Sequence, residues 1–264
     1  MNLILYLIIF IFGTCCGSFL NCLIYRLEKK QSFLWGRSFC PNCHHNLGFF
    51  DLIPILSFIF LRGKCRYCDK KISWQYPLVE IATGLLLILI FWHLDFGFGL
   101  AFGIWILDFL YLLIISCFLI IIFVYDLKHY IIPDRIIYPA ITITFLYRIF
   151  ENFGFNVSRS LGFSLMAAAG AAAFFFLIYF LSQGKWMGFG DVKLAVFMGL
   201  FLGWPVILVG LFSAFFIGAI IGLVLIAFGK KTLKSQIPFG PFLVSGTFIA
   251  LFWAKNLISW YLNL

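Results

Sequence analysis

The apolar residues of this chain come in long unbroken blocks, unlike the alternating or one-faced patterns of soluble strands and helices. Blocks at about 3–25, 78–94, 98–125, 135–151, 160–182, 191–203, 205–228 and 239–262 recur along the sequence. A helix of about 20 residues crosses a hydrocarbon layer of roughly 30 Å, and all but the short 191–203 block approach that length. Lipid offers no partners to the backbone, so each block is expected to satisfy its own peptide groups as a helix. The pattern predicts an all-α polytopic membrane protein with about eight transmembrane helices. The first block is expected to remain as a helix rather than be cleaved, since no basic residue precedes it and no small-x-small site follows before Arg26. Three regions follow: a first transmembrane helix over 1–25, a polar insert over 26–76, and a helical membrane domain over 77–264.

Composition agrees with this reading. The chain has 264 residues, of which 64% are hydrophobic and 11% charged, whereas soluble domains carry roughly a quarter charged residues. Where the cations fall sets the orientation, because cytoplasmic loops are enriched in Lys and Arg. The insert alone holds nine: Arg26, Lys29, Lys30, Arg37, Arg62, Lys64, Arg66, Lys70 and Lys71. With the insert in the cytoplasm, eight spans also place Lys128, Arg135, Lys185, Lys193, Lys230, Lys231 and Lys234 inside. Only Arg148, Arg159 and Lys255 are then left outside or within a span. Both termini are expected to face outward. The net charge of +9 is accounted for by this bias and by anionic lipid headgroups, so no nucleic-acid partner is implied.

The insert contains Cys40-Pro41-Asn42-Cys43 and Cys65-Arg66-Tyr67-Cys68, two CxxC pairs separated by 21 residues. Each pair can aim two thiolates at one ion, and two pairs supply the four sulfurs of a structural zinc site. Two disulfides or four idle thiols are the alternatives. A reducing cytosol and an insert of about 50 residues with little core favour the metal. His44 and His45 follow Cys43 directly and are candidate substitutes for a cysteine ligand. A site filled by cysteine leaves no open coordination position, which makes the zinc structural rather than catalytic. Between the pairs, Leu52 to Leu61 is apolar but too short to span and is interrupted by Pro54. It is expected either to lie against the membrane or to pack over the cysteine turns. Cys15, Cys16, Cys22 and Cys117 lack ligand spacing and read as small apolar packing residues.

Acids in or beside spans are costly and mark functional positions unless a cheaper explanation exists. Glu80 follows Pro77 in the first turn of the second span, where the helix dipole favours an anion. Asp95 and Asp134 sit at span boundaries, and Asp134 reads as an N-cap. Asp108 is 18 residues before Asp126, about 27 Å along the same helix, and cannot pair with it. Asp126 lies at the C-terminal end of its span, where the dipole disfavours an anion. Asp191 follows Gly188-Phe189-Gly190; it is an N-cap candidate, but its glycine neighbours also permit close approach by backbone or substrate. The predicted topology puts Asp126 and Asp191 at one cytoplasmic depth on different helices, the placement that a water-activating carboxylate pair needs.

The ordered motifs resemble the prepilin peptidases, the GxGD-type membrane aspartic proteases that process type IV pilins and pseudopilins. The resemblance runs nearly end to end. It is carried by Gly17-Ser18-Phe19-Leu20-Asn21, Tyr25-Arg26-Leu27, the two CxxC pairs, Asp51 with Ile53-Pro54-Ile55-Leu56-Ser57, and Leu61-Arg62-Gly63 with Cys65-Arg66. It continues through Ile72-Ser73, Tyr76-Pro77 with Val79-Glu80, Asp126, Ile132-Pro133-Asp134, Gly188-Phe189-Gly190-Asp191-Val192-Lys193 and Pro238-Phe239-Gly240-Pro241. It implies a multi-pass protein of the cell (inner) membrane whose Asp126 and Asp191 are catalytic. Gly188, Gly190, Lys193 and Glu80 are the supporting motif residues. The implied substrates are prepilin or pseudopilin leader peptides, cut at the cytoplasmic face after a glycine. Many members also methylate the new N-terminus with S-adenosylmethionine. Tyr125-Asp126 with GxGD also resembles the wider class that contains presenilin and signal peptide peptidase. Two other readings compete: a signal-peptide-peptidase-like intramembrane protease with the same dyad, and a proton-coupled transporter, for which buried acids and many spans are equally natural. The transporter leaves the cysteine insert without a purpose.

Overall fold

A computed structural model of the chain describes residues 3–32, 36–94, 102–153, 161–229, 232 and 235–263. Asp95, Arg159, Lys230, Lys231 and Lys234, singled out above, lie outside the described residues. The helices are α1 (Leu3–Glu28), α2 (Leu56–Phe60), α3 (Gln75–His93), α4 (Phe102–His129), α5 (Asp134–Phe153), α6 (Leu161–Ser182), α7 (Phe189–Leu202), α8 (Val206–Ala227) and α9 (Gly240–Leu262). A single 3-10 turn covers Phe49–Asp51. Among the described residues, extended pairing is limited to two isolated antiparallel bridges, Phe39 with Asn46 and Lys64 with Lys71.

Each of the eight predicted blocks becomes a helix, but the count of eight spans is corrected. Among the described residues, six helices are long and apolar enough to cross a membrane: Leu3–Glu28, Gln75–His93, Trp105–His129, Leu161–Ser182, Val206–Ala227 and Gly240–Leu262. The two that fall short do so for different reasons. α5 places Asp134, Arg135, Arg148 and Glu151 within 20 residues. α7 has 14 residues, about 21 Å at 1.5 Å per residue.

The chain divides into two compact units, Met1–Ile121 and Ile122–Leu264, with the boundary inside α4. In the first unit α1 and α3 pack backbone to backbone. A Cβ on Gly13 would lie 2.7 Å from the Gly84 Cα, and one on Gly17 would lie 2.7 Å from the Glu80 Cα. Glycines four apart share a helix face, and helices in lipid, with no hydrophobic drive to associate, gain from such close contact. One end of this contact is tied by polar groups: Asn21 Nδ2 donates to the Tyr76 carbonyl at 3.0 Å, and Asn21 Oδ1 accepts from Gln75 Nε2 at 3.3 Å. Nearer the other end, Ile9, Leu87 and Phe91 form an apolar cluster against Trp105, Phe109 and Leu113 of α4.

In the second unit α7 runs from one end of the bundle to the other. At its start Lys193 Nζ lies 2.5 Å from Asp134 Oδ1 at the head of α5. Phe189 also packs on Tyr179 near the end of α6, with ring centroids 5.5 Å apart. At its finish a Cβ on Gly203 would lie 3.3 Å from Ser164 Oγ near the start of α6. α5 and α7 are therefore parallel, with α6 returning between them. Within α7, a Cβ on Gly199 would overlap the Ala168 backbone, so these two helices also touch main chain to main chain.

Arg148 holds the far end of α7. Its Nε donates to the Leu200 carbonyl at 3.0 Å and its Nη2 to the Phe201 carbonyl, while Nη1 pairs with Glu151 at 2.5 Å. The last carbonyls of a helix have no partner within it, and a cation at that end also meets the dipole. Arg148 is 2% exposed, so water does not replace it. We expect Arg148→Met to leave two buried carbonyls bare and to destabilise the protein by about 3 kcal/mol. Arg148→Lys, which lacks the planar fork, should fall between. Thermal denaturation in detergent reads both, and a Met variant as stable as the parent would refute this role.

Candidate active site and cysteine centre

Three helix ends of the second unit converge on the carboxylates. Asp126 sits in the last turn of α4 and Asp191 in the first turn of α7, both buried, at 4% and 8% exposure. α9 begins at Gly240, whose backbone N–H donates to Asp126 Oδ2 at 3.1 Å. Ile132 fills the space between these elements. Its Cβ would be 3.0 Å from a Cβ on Gly190, and its Cδ1 3.4 Å from a Cβ on Gly240. Asp126 and Asp191 are close enough that the charge of the first acts on the second.

Each acid is also met by a backbone donor. The N-cap of α7 is Gly188 rather than Asp191. Asp191 lies three residues on, and its carboxylate takes the Gly188 N–H, the reach-back half of a capping box. For Asp126 the sequence shows only an unfavourable C-terminal position. The structure adds the first N–H of α9, which is contributed from 114 residues further along. Glycine at 240 is a steric requirement, because a Cβ there would lie 2.6 Å from Asp126 Oδ2. Lys193 points away from the acids toward Asp134 and stands over the rings of Tyr138 and Phe189, at 5.0 and 5.2 Å from their centroids. Asp134 is the first residue of α5 and spends its carboxylate on this pair.

The cysteine centre belongs to the first unit and is built from two copies of one turn. In the first, the Cys40 N–H donates to the His45 carbonyl at 3.0 Å and the His44 N–H to the Cys40 carbonyl at 2.9 Å, with His44 at φ 57°. In the second, the Cys65 N–H donates to the Lys70 carbonyl at 2.9 Å and the Asp69 N–H to the Cys65 carbonyl at 3.0 Å, with Asp69 at φ 55°. The two knuckles bring the sulfurs of Cys40, Cys43, Cys65 and Cys68 within 4.8 Å of one another. Cys40 and Cys68, one from each, are 3.9 Å apart. Four sulfurs at about 2.3 Å from a central zinc would be about 3.8 Å apart, so the cluster fits a tetrahedral ion.

The thiols are electrostatically unequal. Burial opposes ionisation of Cys40, but the N–H groups of Cys43 and Asn42 and the thiols of Cys43 and Cys65 outweigh it, lowering its pKa to about 7. The Lys70 N–H favours the Cys68 thiolate. Burial and hydrogen bonds with the other three cysteines outweigh that donor and push Cys68 up to about 11. His44 and His45 are not part of the cluster: His44 stacks on Phe39 at 5.7 Å and His45 on Tyr67 at 3.7 Å. Asp51 clamps the second knuckle, meeting Arg66 Nε and the Tyr67 hydroxyl, each at 3.0 Å.

Glu80 lies in neither centre. Its Oε2 accepts the Ile55 backbone N–H at 2.7 Å, and a second hydrogen bond joins it to Ser18 on α1. It is five residues into α3 and 7% exposed, beyond the first turn that the sequence position implied.

Comparison with known proteins identifies the family. The bacterial peptidase A24 N-terminal domain family matches residues 11–94, and the type IV leader peptidase family matches residues 113–223. The chain is 33% identical to the prepilin leader peptidase/N-methyltransferase of Legionella pneumophila, with 98% of this chain and 95% of that protein covered. It is 32% identical to the protein of the same name from Bacillus subtilis, covering 97% and 98%. Identity to the Pseudomonas aeruginosa protein of that name is 28%, covering 95% and 91%. No solved structure matches the chain. The chain therefore belongs to the type IV leader peptidase family, among the prepilin leader peptidase/N-methyltransferases.

Proposed function

We propose that Asp126 and Asp191 are the catalytic pair with which this family member hydrolyses the leader peptides of prepilins or pseudopilins at the cytoplasmic face of the cell membrane. The observation that carries the assignment is the convergence of α4, α7 and α9 on two buried carboxylates, with a backbone donor on each. Two adjacent carboxylates in a site of low polarity share a proton. The ionised one takes a proton from water as its oxygen attacks the scissile carbonyl carbon. The protonated one donates to the carbonyl oxygen, and collapse of the tetrahedral adduct breaks the C–N bond as a proton passes to the leaving amine. The pair titrates as a unit. Gly240 fixes one oxygen of Asp126 through its N–H, leaving the other free to meet water.

The four cysteines would hold one structural zinc, whose closed coordination supplies folding energy to the 26–76 insert and no open position for chemistry. The first helix over 1–25, this insert, and the peptidase region over 77–264 then form three functional parts. Methylation of the new N-terminus, the second activity in the relatives' name, uses S-adenosylmethionine as methyl donor. The polar insert over 26–76 is the surface on which a charged cofactor would be received.

We expect Asp126→Asn and Asp191→Asn each to lower cleavage of a prepilin by the purified protein in detergent by about 10²–10⁴-fold, with folding retained. Substantial cleavage by either variant would remove that residue from the pair. Gly240→Ala should push Asp126 off its backbone donor and cost about 10²-fold in turnover without loss of fold, since the clash is with the end of a side chain. Wild-type turnover by that variant would show the contact to be dispensable. Metal analysis should find one zinc per chain. Cys43→Ser should lose it and expose the insert to protease while leaving most leader cleavage, with transfer of a labelled methyl group reduced. Zinc-free wild-type protein, or a Cys43 variant with full methylation and reduced cleavage, would refute this division.

A further inference from the structure

Residues 49–60 carry large apolar side chains that their own unit leaves uncovered. Phe49 and Phe60 are 80% and 81% exposed, and Phe50, Leu56 and Ile59 are 68%, 51% and 61% exposed. These five side chains stay exposed while Asp51 of the same segment clamps the second knuckle. An exposed apolar surface of this kind marks a contact.

Where this surface sits is fixed by Glu80. The Ile55 N–H at the head of α2 donates to Glu80 Oε2 at 2.7 Å, and Glu80 is five residues into the membrane-crossing helix α3, about 7.5 Å along its axis. The head of α2 thus lies at the depth of the second turn of α3, not above it. The chain turns sharply there: Ile55 has φ 61° and follows Pro54, which has no N–H to offer. A non-helical backbone donor at that depth cannot rely on water, and a buried carboxylate supplies the acceptor. Glu80 is itself braced, because Gly17 of α1 passes directly against its Cα. After α2, Arg62 and Lys64 are exposed, placed to meet anionic headgroups as the chain leaves.

We propose that residues 49–60 form a re-entrant foot that inserts into the boundary between lipid headgroups and acyl chains beside α3, anchored by the Glu80 carboxylate on the Ile55 N–H. The occupant of the apolar surface is the bilayer. The foot ties the cysteine insert to the membrane at a point between its two knuckles, and it gives Glu80 a task separate from peptide hydrolysis.

Full-length protein in nanodiscs containing anionic phospholipid tests this, with the photoreactive p-benzoylphenylalanine replacing single residues. Replacement of Phe60 or Phe49 should give lipid adducts, read by mass, within about twofold of those at Phe212, which is 72% exposed on α8. Yields should be at least about tenfold above those at the exposed Lys70. Absence of lipid adducts at Phe60 and Phe49 while Phe212 forms them overturns the proposal. Added prepilin that captures the label at Phe60 and displaces the lipid adduct also overturns it, assigning the surface to substrate. In the Phe60-labelled protein, Glu80→Gln retains an acceptor and should keep the adduct, whereas Glu80→Leu should reduce it about tenfold. Equal yields from both variants would overturn the anchoring role of Glu80.

Discussion

A backbone N–H or C=O left bare in hydrocarbon costs several kcal/mol, and helices that stop or bend inside a membrane protein expose such groups. In this chain buried charged side chains cover them. The Arg148 guanidinium takes the Leu200 and Phe201 carbonyls at the end of α7, and the Glu80 carboxylate takes the N–H of Ile55, where Pro54 precludes a regular start to α2. Asp126 takes the Gly240 N–H at the start of α9. The same exchange serves stability at the first two places and, under the proposed function, chemistry at the third. A carboxylate that satisfies a helix end is held in a fixed orientation, which a carboxylate able to act on water requires.

Small residues let these exchanges occur at short range. Gly17 brings α1 against Glu80, Gly199 brings α7 against the Ala168 backbone, and Gly240 brings α9 within a hydrogen bond of Asp126. Dispersion and backbone contact carry association between helices in lipid, so close approach stabilises the bundle where apolar area alone would not. At Gly240 the packing requirement meets the proposed catalytic one, since an added Cβ would lie 2.6 Å from Asp126 Oδ2.

Much of this was legible in the sequence because its signals are local. The apolar blocks located the helices, and the CxxC spacing specified a four-sulfur cluster in which each pair lies within one turn. Asp126 and Asp191 stood out as acids whose cost in or beside a span demanded a reason. The count of spans went wrong where a helix depends on distant partners: α5 carries Asp134, Arg135, Arg148 and Glu151, two of which find their partners on α7, and α7 itself has 14 residues. The same limitation hid the work of Arg148 and Glu80 and the contact of Gly240 with Asp126, whose partners are 52, 25 and 114 residues away in the chain. Pro238-Phe239-Gly240-Pro241 did carry a signal, a glycine and a proline opening an apolar block, but it marked a helix start and not what the start would touch.

The two centres differ in how they are held, and this bears on how two reactions coexist in one chain. The carboxylates and the groups that fix them, Ile132, Gly188 and Gly240, all lie in Ile122–Leu264, on long helices whose ends are set by packing along their whole length. The cysteines and their clamps, Asp51 and the paired turns, all lie in Met1–Ile121, on short loops with little core, where a metal would supply the rigidity that packing does not. If the acids are the catalytic pair, hydrolysis draws its geometry from the helices of the second unit. Any chemistry built on the insert would depend instead on how its cysteine turns are held and on the way Glu80 holds the start of α2.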